Sequence, residues 1–234
     1  MKTIKFCFMS LILTSLVMPS MGVAREFNFT IGVDYWKADW ELSLFHETYN
    51  EVRTYEADGA GMYGPRAQLA YGPVSLGVSY MMGKYEIGTA DEGDREDILV
   101  TLGYSFARYF SANLKYESFD YSTVWSKTTG IDLHQTGFGA GLSAFVPLGK
   151  SRLFLFGVGS YSPFGNLDID FYSEAATPWN ADLDASRWSI EGGLGYTVKS
   201  FTLTAGYRHS ETICKDDDYS IEFGGVSASL SYTF

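Results

Sequence analysis

Apolar residues recur at every second position in segment after segment of this chain, which is the period of a strand with one apolar face. Phe27, Phe29, Ile31, Val33 and Tyr35 alternate with Asn28, Thr30, Gly32, Asp34 and Trp36. Tyr63, Ala67, Leu69 and Tyr71 alternate with Gly64, Arg66, Gln68 and Ala70. Val74, Leu76, Val78, Tyr80 and Met82 do the same, as do Ile98, Val100, Leu102, Tyr104 and Phe106. Six further segments of this character lie near 110–121, 137–147, 152–161, 187–198, 201–210 and 221–234. The pattern predicts an all-β chain of about ten strands, with eight or twelve as the neighbouring counts. Each segment is long enough to cross a bilayer at a tilt.

The connections alternate in length. Gly72-Pro73, residues 107–109, residues 148–151 and Lys199-Ser200 read as tight turns, and 41–60, 86–97, 122–136, 163–186 and 211–220 as long loops. Short turns at one end and long loops at the other predict a transmembrane antiparallel up-and-down barrel, with the turns periplasmic and the loops external. Aromatic residues bound the apolar face at both ends, as an interfacial girdle requires. Tyr35, Tyr63, Tyr80, Trp188 and Tyr207 fall toward the long loops, and Phe27, Tyr71, Phe106, Phe110, Phe201, Tyr232 and Phe234 toward the turns. The opposite face is rich in glycine and small polar residues, which suits the inside of a narrow barrel better than the dry core of a soluble sandwich.

The first residues follow a different pattern. Lys2 and Lys5 precede an apolar run from Phe6 to Val17, and Gly22-Val23-Ala24 supplies small residues at a cleavage site. This predicts a signal peptide over residues 1–24 and a barrel domain over 25–234. The run is shorter than the roughly 20 residues of a spanning helix. Of the two cysteines, Cys7 lies in the predicted leader, so Cys214 has no partner for an internal disulfide. Loss of Lys2 and Lys5 with the leader takes the formal charge from −11 to about −13, the wrong sign for a nucleic-acid-binding surface.

The last segment, Val226 to Phe234, alternates apolar and polar residues and ends Tyr232-Thr233-Phe234. It resembles the C-terminal strand of Gram-negative outer-membrane proteins. The resemblance implies that Tyr232 and Phe234 form an assembly signal read by the barrel-assembly machinery. It also implies a cell outer-membrane location, with lipid and lipopolysaccharide around the barrel. It reaches no particular functional family.

Charge suggests two sites. Asp34, Arg66, Lys115, Glu117, Glu191 and Arg208 have inward parity and lie about five to seven residues above the turns of their strands. They are expected to form a layer of opposite charges that closes the lumen at mid-depth. If Lys199-Ser200 is a two-residue turn, Glu191 stands directly opposite Arg208. Acidic residues crowd the predicted loops: Glu86, Asp91, Glu92, Asp94, Glu96 and Asp97 in one, and Asp168, Asp170, Glu174, Asp182 and Asp184 in another. Such loops suit solvation, or weak binding of a hard divalent cation through oxygen ligands. No resident cofactor or metal site is indicated.

His46, His134 and His209 all fall toward the long-loop end. Asp132-Leu133-His134 and Asp168-Ile169-Asp170 resemble in kind the Asp-His and Asp-Asp pairs of the omptin-type outer-membrane proteases, although their order along the chain is reversed. A Ser-His dyad of the lipid A deacylase kind is not formed by His209-Ser210, because neighbours in a strand point to opposite faces. The reading preferred from sequence is a structural or surface barrel, or a narrow porin-like one. A hydrolase with its site at the external rim is the alternative, and a passage for apolar solutes would need a lateral opening or an apolar path through the lumen.

Overall fold

A computed structural model describes residues 27–46, 51–87, 91–126, 129–173, 179–214 and 220–234. The predicted leader, with Cys7, lies outside the described residues, as do Glu174 and residues 215–219. The chain forms ten strands: β1 (Phe27–His46), β2 (Glu51–Tyr71), β3 (Val74–Ile87), β4 (Asp91–Ala107), β5 (Phe110–Ser126), β6 (Thr129–Pro147), β7 (Leu153–Ser173), β8 (Trp179–Val198), β9 (Phe201–Cys214) and β10 (Ser220–Thr233). Each pairs antiparallel with its sequence neighbour, and β1 pairs with β10 to close the barrel. Closure leaves no sheet edge unpaired, the condition a sheet must meet in hydrocarbon.

The turns at one end are tight. Gly72 and Gly149 take positive φ there, and so does Lys199 at 54°, which sets the two-residue turn from Val198 to Phe201. At the other end the strands run further than the alternation of apolar residues suggests. The stretches expected as long loops are strand for most of their length: 41–46 and 51–60 belong to β1 and β2, 129–136 to β6, and 163–173 and 179–186 to β7 and β8. The acids Glu86, Asp91, Glu92, Asp94, Glu96, Asp97, Asp168, Asp170, Asp182 and Asp184 are therefore strand residues. At about 3.3 Å per residue, a strand of 20 residues reaches roughly 65 Å along its axis, about twice what a tilted crossing needs.

The reason is a change of phase. In the turn-side half, apolar side chains point outward, and Phe27, Phe29, Ile31, Val33 and Tyr35 are all exposed along β1. Beyond Tyr35 the apolar residues change to the inward parity. Trp36, Ala38 and Trp40 point inward and are buried, while Lys37 and Asp39 point out. The same reversal places Phe119 and Tyr121 inside on β5, Ile131 and Leu133 on β6, and Ile221 and Phe223 on β10. The molecule is thus a barrel with an apolar outer belt in its lower half and an apolar core with a polar outer wall in its upper half. Nine residues of β1 span the belt, which at a tilt near 45° is about 20 Å tall, close to the apolar band of a membrane barrel.

Candidate functional site

Near the turns the inner wall is made of small residues. Hydroxyls pair across strands: Thr30 with Thr233 at 2.9 Å, Ser160 with Ser189 at 2.7 Å, and Thr204 with Ser229 at 2.6 Å. Gly193 and Gly206 face each other directly, and a Cβ on Gly193 would stand 2.1 Å from the Ala205 carbonyl oxygen. The rings of Phe154 and Phe156, both on β7, cover Gly195 of the adjacent β8 and Gly206 of β9 beyond it.

Above this lies a charged layer. Arg66 donates to Asp34 at 3.2 Å. Lys115 donates to Glu117 at 3.0 Å, Ser162 donates to the other Glu117 oxygen at 2.6 Å, and Arg187 Nε lies 4.0 Å away. Glu191 is directly opposite Arg208, but among the described residues the two form no ion pair. Glu191 instead accepts from Ser227 at 2.8 Å, and Arg208 lies over the Trp36 ring, 4.5 Å from its centroid. The expectation of a charged hydrogen bond between them is corrected accordingly. The Trp36 ring offers Arg208 a π face, and Ser227 offers Glu191 a donor.

Three further charges join the layer. Arg95 makes a bidentate pair with Asp97 at 2.6 and 2.8 Å, and its guanidinium is surrounded by Phe223, Phe119 and Trp36 at 3.6, 5.1 and 5.4 Å. Arg187 donates to Ser210 at 3.1 Å and lies 5.0 Å from the Phe119 ring. Sequence reading placed Arg95 and Asp97 in a loop and left out Arg187. The signal available was the inward parity of each strand, which is the same along its whole length: Arg95 and Asp97 share it with Gly103 on β4, and Arg187 shares it with Glu191 on β8.

The layer is capped by the upper core. Trp36, Ala38, Trp40, Met62, Met81, Phe119, Tyr121, Ile131, Leu133, Leu167, Ile169, Ala185, Cys214, Ile221 and Phe223 are all buried in one cluster. It bridges the barrel, with Trp40 stacked on Tyr121 of β5 and Trp36 edge-on to Phe223 of β10. Gln135 and Thr212, both buried, join β6 to β9 through a 2.8 Å hydrogen bond. Charges, rings and aliphatic side chains are thus gathered together inside the upper half of the barrel.

The residues considered for hydrolysis lie elsewhere. Asp132, His134 and Asp170 are exposed on the outer wall, with Asp168 beside them. Asp132 pairs in register with Asp170, and His134 with Asp168, so the two pairs lie side by side on adjacent strands and do not face across a cleft. His134 is hydrogen-bonded to Asp120 on its other side. His209 points outward and packs on Trp188, which donates to Glu211 at 2.7 Å. The side chain of His46 lies outside the described residues. No group of three His, Cys, Asp or Glu among the described residues is placed to hold a metal ion.

No protein-family model matches the chain, and no curated protein matches it. Solved structures do. The outer membrane protease OmpT from Escherichia coli superposes with a TM-score of 0.62 at 12% identity, covering 92% of this chain and 99% of that one. The fold is that of an outer-membrane β-barrel. Neisserial surface protein A matches with a TM-score of 0.41 at 14% identity, over 88% of this chain and 97% of its own. Ail, the attachment invasion locus protein of Yersinia pestis, matches with 0.34 at 13%, over 88% and 99%. At these identities the likeness is one of fold.

Proposed function

We propose that the protein is a closed barrel of the Gram-negative outer membrane, with a structural or surface role in place of solute diffusion. The observation that carries this reading is the bridged interior, in which the Arg95–Asp97 pair is roofed by Trp36, Phe119 and Phe223. Orientation follows from charge. The turns carry exposed Arg108, Lys150, Arg152 and Lys199, which suits the periplasmic side. The tall wall presents Asp94, Glu96, Asp120, Asp132, Asp170, Asp182 and Asp184 outward, and that end faces the medium, among lipopolysaccharide.

In this reading the predicted leader is removed on export. Phe234 would present the assembly signal from the turn-side rim, where its amide donates to the Phe29 carbonyl at 2.9 Å and its ring packs on Tyr232. The acidic wall is solvated and takes divalent cations only weakly. The protein refolded from denaturant into planar bilayers tests the reading: no resolved channel steps are expected, and steady open-channel conductance overturns it.

A further inference from the structure

The rim at the turn end is basic over three successive turns. Arg108 lies between β4 and β5, Lys150 and Arg152 between β6 and β7, and Lys199 between β8 and β9, and all four are exposed. The remaining turn, Gly72-Pro73 between β2 and β3, carries no charge. No Asp or Glu occurs in 98–116, 138–167 or 192–210, the stretches that hold the basic turns and the belt next to them. Among the described residues none of the four cations forms an ion pair, and Arg108 lies over the Tyr109 ring, 5.1 Å from its centroid. Backbone hydrogen bonds join these turns into one arc. The Phe145 amide donates to the Tyr109 carbonyl at 2.9 Å, and the Thr197 amide donates to the Arg152 carbonyl at 3.0 Å.

Each cation stands at the edge of the apolar belt. Phe106 and Phe110, exposed and stacked on each other, flank Arg108. Exposed Leu148 and Leu153 flank Lys150 and Arg152, and exposed Phe201 follows Lys199. At about 3.3 Å per residue, each charge is within roughly 7 Å of a belt side chain along the chain. That is the level of the lipid phosphates, where a Lys or Arg can keep its stem on apolar surface and its charged head in the polar layer. The turns are too short to carry these charges further from the membrane, so a partner has to meet them at the membrane surface. The headgroup layer is already there.

We propose that this arc is an interaction surface for anionic phospholipid headgroups of the periplasmic leaflet, which it selects over zwitterionic ones. Cations without a carboxylate partner attract the net negative charge of an anionic headgroup, and a Lys or Arg close to an anionic surface favours it by about fivefold. The guanidinium groups of Arg108 and Arg152 can in addition hold a phosphate through two parallel hydrogen bonds. The selection is confined to the side of the barrel formed by β4 to β9, because the Gly72-Pro73 turn offers no charge. The inference rests on the orientation proposed above, with the turns on the periplasmic side.

Bromine on a lipid chain quenches tryptophan on contact, so a tryptophan placed beside the arc reports its lipid neighbours. Leu155, exposed on β7 close to Arg152, is replaced in the variant Leu155→Trp, and the emission of the parent protein is subtracted. The protein is folded into vesicles of equal parts phosphatidylcholine and phosphatidylglycerol, with dibrominated chains on one lipid or on the other. Bromine on phosphatidylglycerol is expected to quench the added tryptophan about twofold or more strongly than bromine on phosphatidylcholine. The difference should vanish when Arg108→Gln, Lys150→Gln, Arg152→Gln and Lys199→Asn are added. Equal quenching with the basic turns intact, or a preference that survives their substitution, overturns the proposal. If the substituted protein does not fold, molar salt on the Leu155→Trp protein decides: screening should bring the two quenching values together, and a preference that salt leaves unchanged overturns the proposal. Orientation is tested separately in cells. With Cys214→Ala, the variant Lys150→Cys should react with a membrane-impermeant maleimide only after the outer membrane is permeabilised. Reaction in intact cells overturns the orientation, and with it the periplasmic leaflet, whereas equal quenching beside a protected cysteine overturns headgroup selection alone.

Discussion

The guanidinium of Arg95 lies 3.6 Å from the centre of the Phe223 ring and is held there by both carboxylate oxygens of Asp97, two residues along the same strand. A charge with no exposed side-chain surface is tolerable only when paired, and removing one partner of such a pair costs about 3–5 kcal/mol while removing both costs far less. Asp97→Asn is therefore expected to lower the urea midpoint of the folded barrel strongly, and Arg95→Met with Asp97→Leu to restore most of the loss. A double variant as unstable as the sum of its single variants would show that the two residues act independently.

The same ring cluster makes a prediction about permeation. Trp36, Phe119 and Phe223 are each 1% exposed and meet around Arg95. Truncating all three to alanine removes the roof over the charged layer and admits water to charges that attract it. The triple variant should show flickering conductance in planar bilayers where the parent shows none. A silent triple variant would mean that the charged layer, with Phe154 and Phe156 below it, suffices for closure.

Much of the barrel could be read from the chain because a lipid-facing strand alternates plainly, and the Val198–Phe201 turn carries that alternation into a definite register at Glu191 and Arg208. The upper half was hidden for a physical reason. Trp36-Lys37-Ala38-Asp39-Trp40 alternates as regularly as the stretch before it, but with the apolar residues on the other parity. A reading that follows one apolar face takes that reversal as the end of a strand. It marks instead the height at which the surroundings change from hydrocarbon to water, so that the apolar residues turn inward. Arg187, Gln135 and Thr212 were missed for the same cause: they keep the inward parity of Glu191, Gly137 and Arg208 on their own strands, but lie beyond the point where the apolar outer face stops.

Glu117 joins three strands, through Lys115 on its own strand, Ser162 on β7 and Arg187 on β8. It is the carboxylate bonded to Lys115 and the one within 4.0 Å of Arg187, and all three side chains are buried. Glu117→Gln should therefore cost about 3 kcal/mol or more by leaving cations uncompensated. Ser162→Ala, which removes one hydrogen bond to a charged acceptor, should cost about 1.5–3 kcal/mol. Unfolding midpoints in matched vesicles check both. Equal, small effects of the two substitutions would place lumen water, and not Glu117, as the main solvent of Lys115 and Arg187.

Direct opposition across a ladder does not by itself make an ion pair, and Glu191 and Arg208 allow that to be measured. Directly opposed residues bring their Cβ atoms to about 5 Å, yet the carboxylate accepts from Ser227 on β10 while the guanidinium lies over Trp36 of β1. Each charge thus reaches past the shared β8–β9 seam to a different partner. A cation over an indole face contributes about 2 kcal/mol when desolvated, and a hydrogen bond from a hydroxyl to a carboxylate is of similar size. In a double-mutant cycle, Arg208→Met should couple to Trp36→Leu by about 1–2 kcal/mol. Its coupling to Glu191→Gln should stay within about 0.5 kcal/mol, the scatter expected of independent sites. Ser227→Ala should in turn couple to Glu191→Gln and not to Arg208→Met. The opposite pattern, with strong Glu191–Arg208 coupling and none between Arg208 and Trp36, would mean that the two charges pair in the membrane-embedded protein and that the ring contact is incidental.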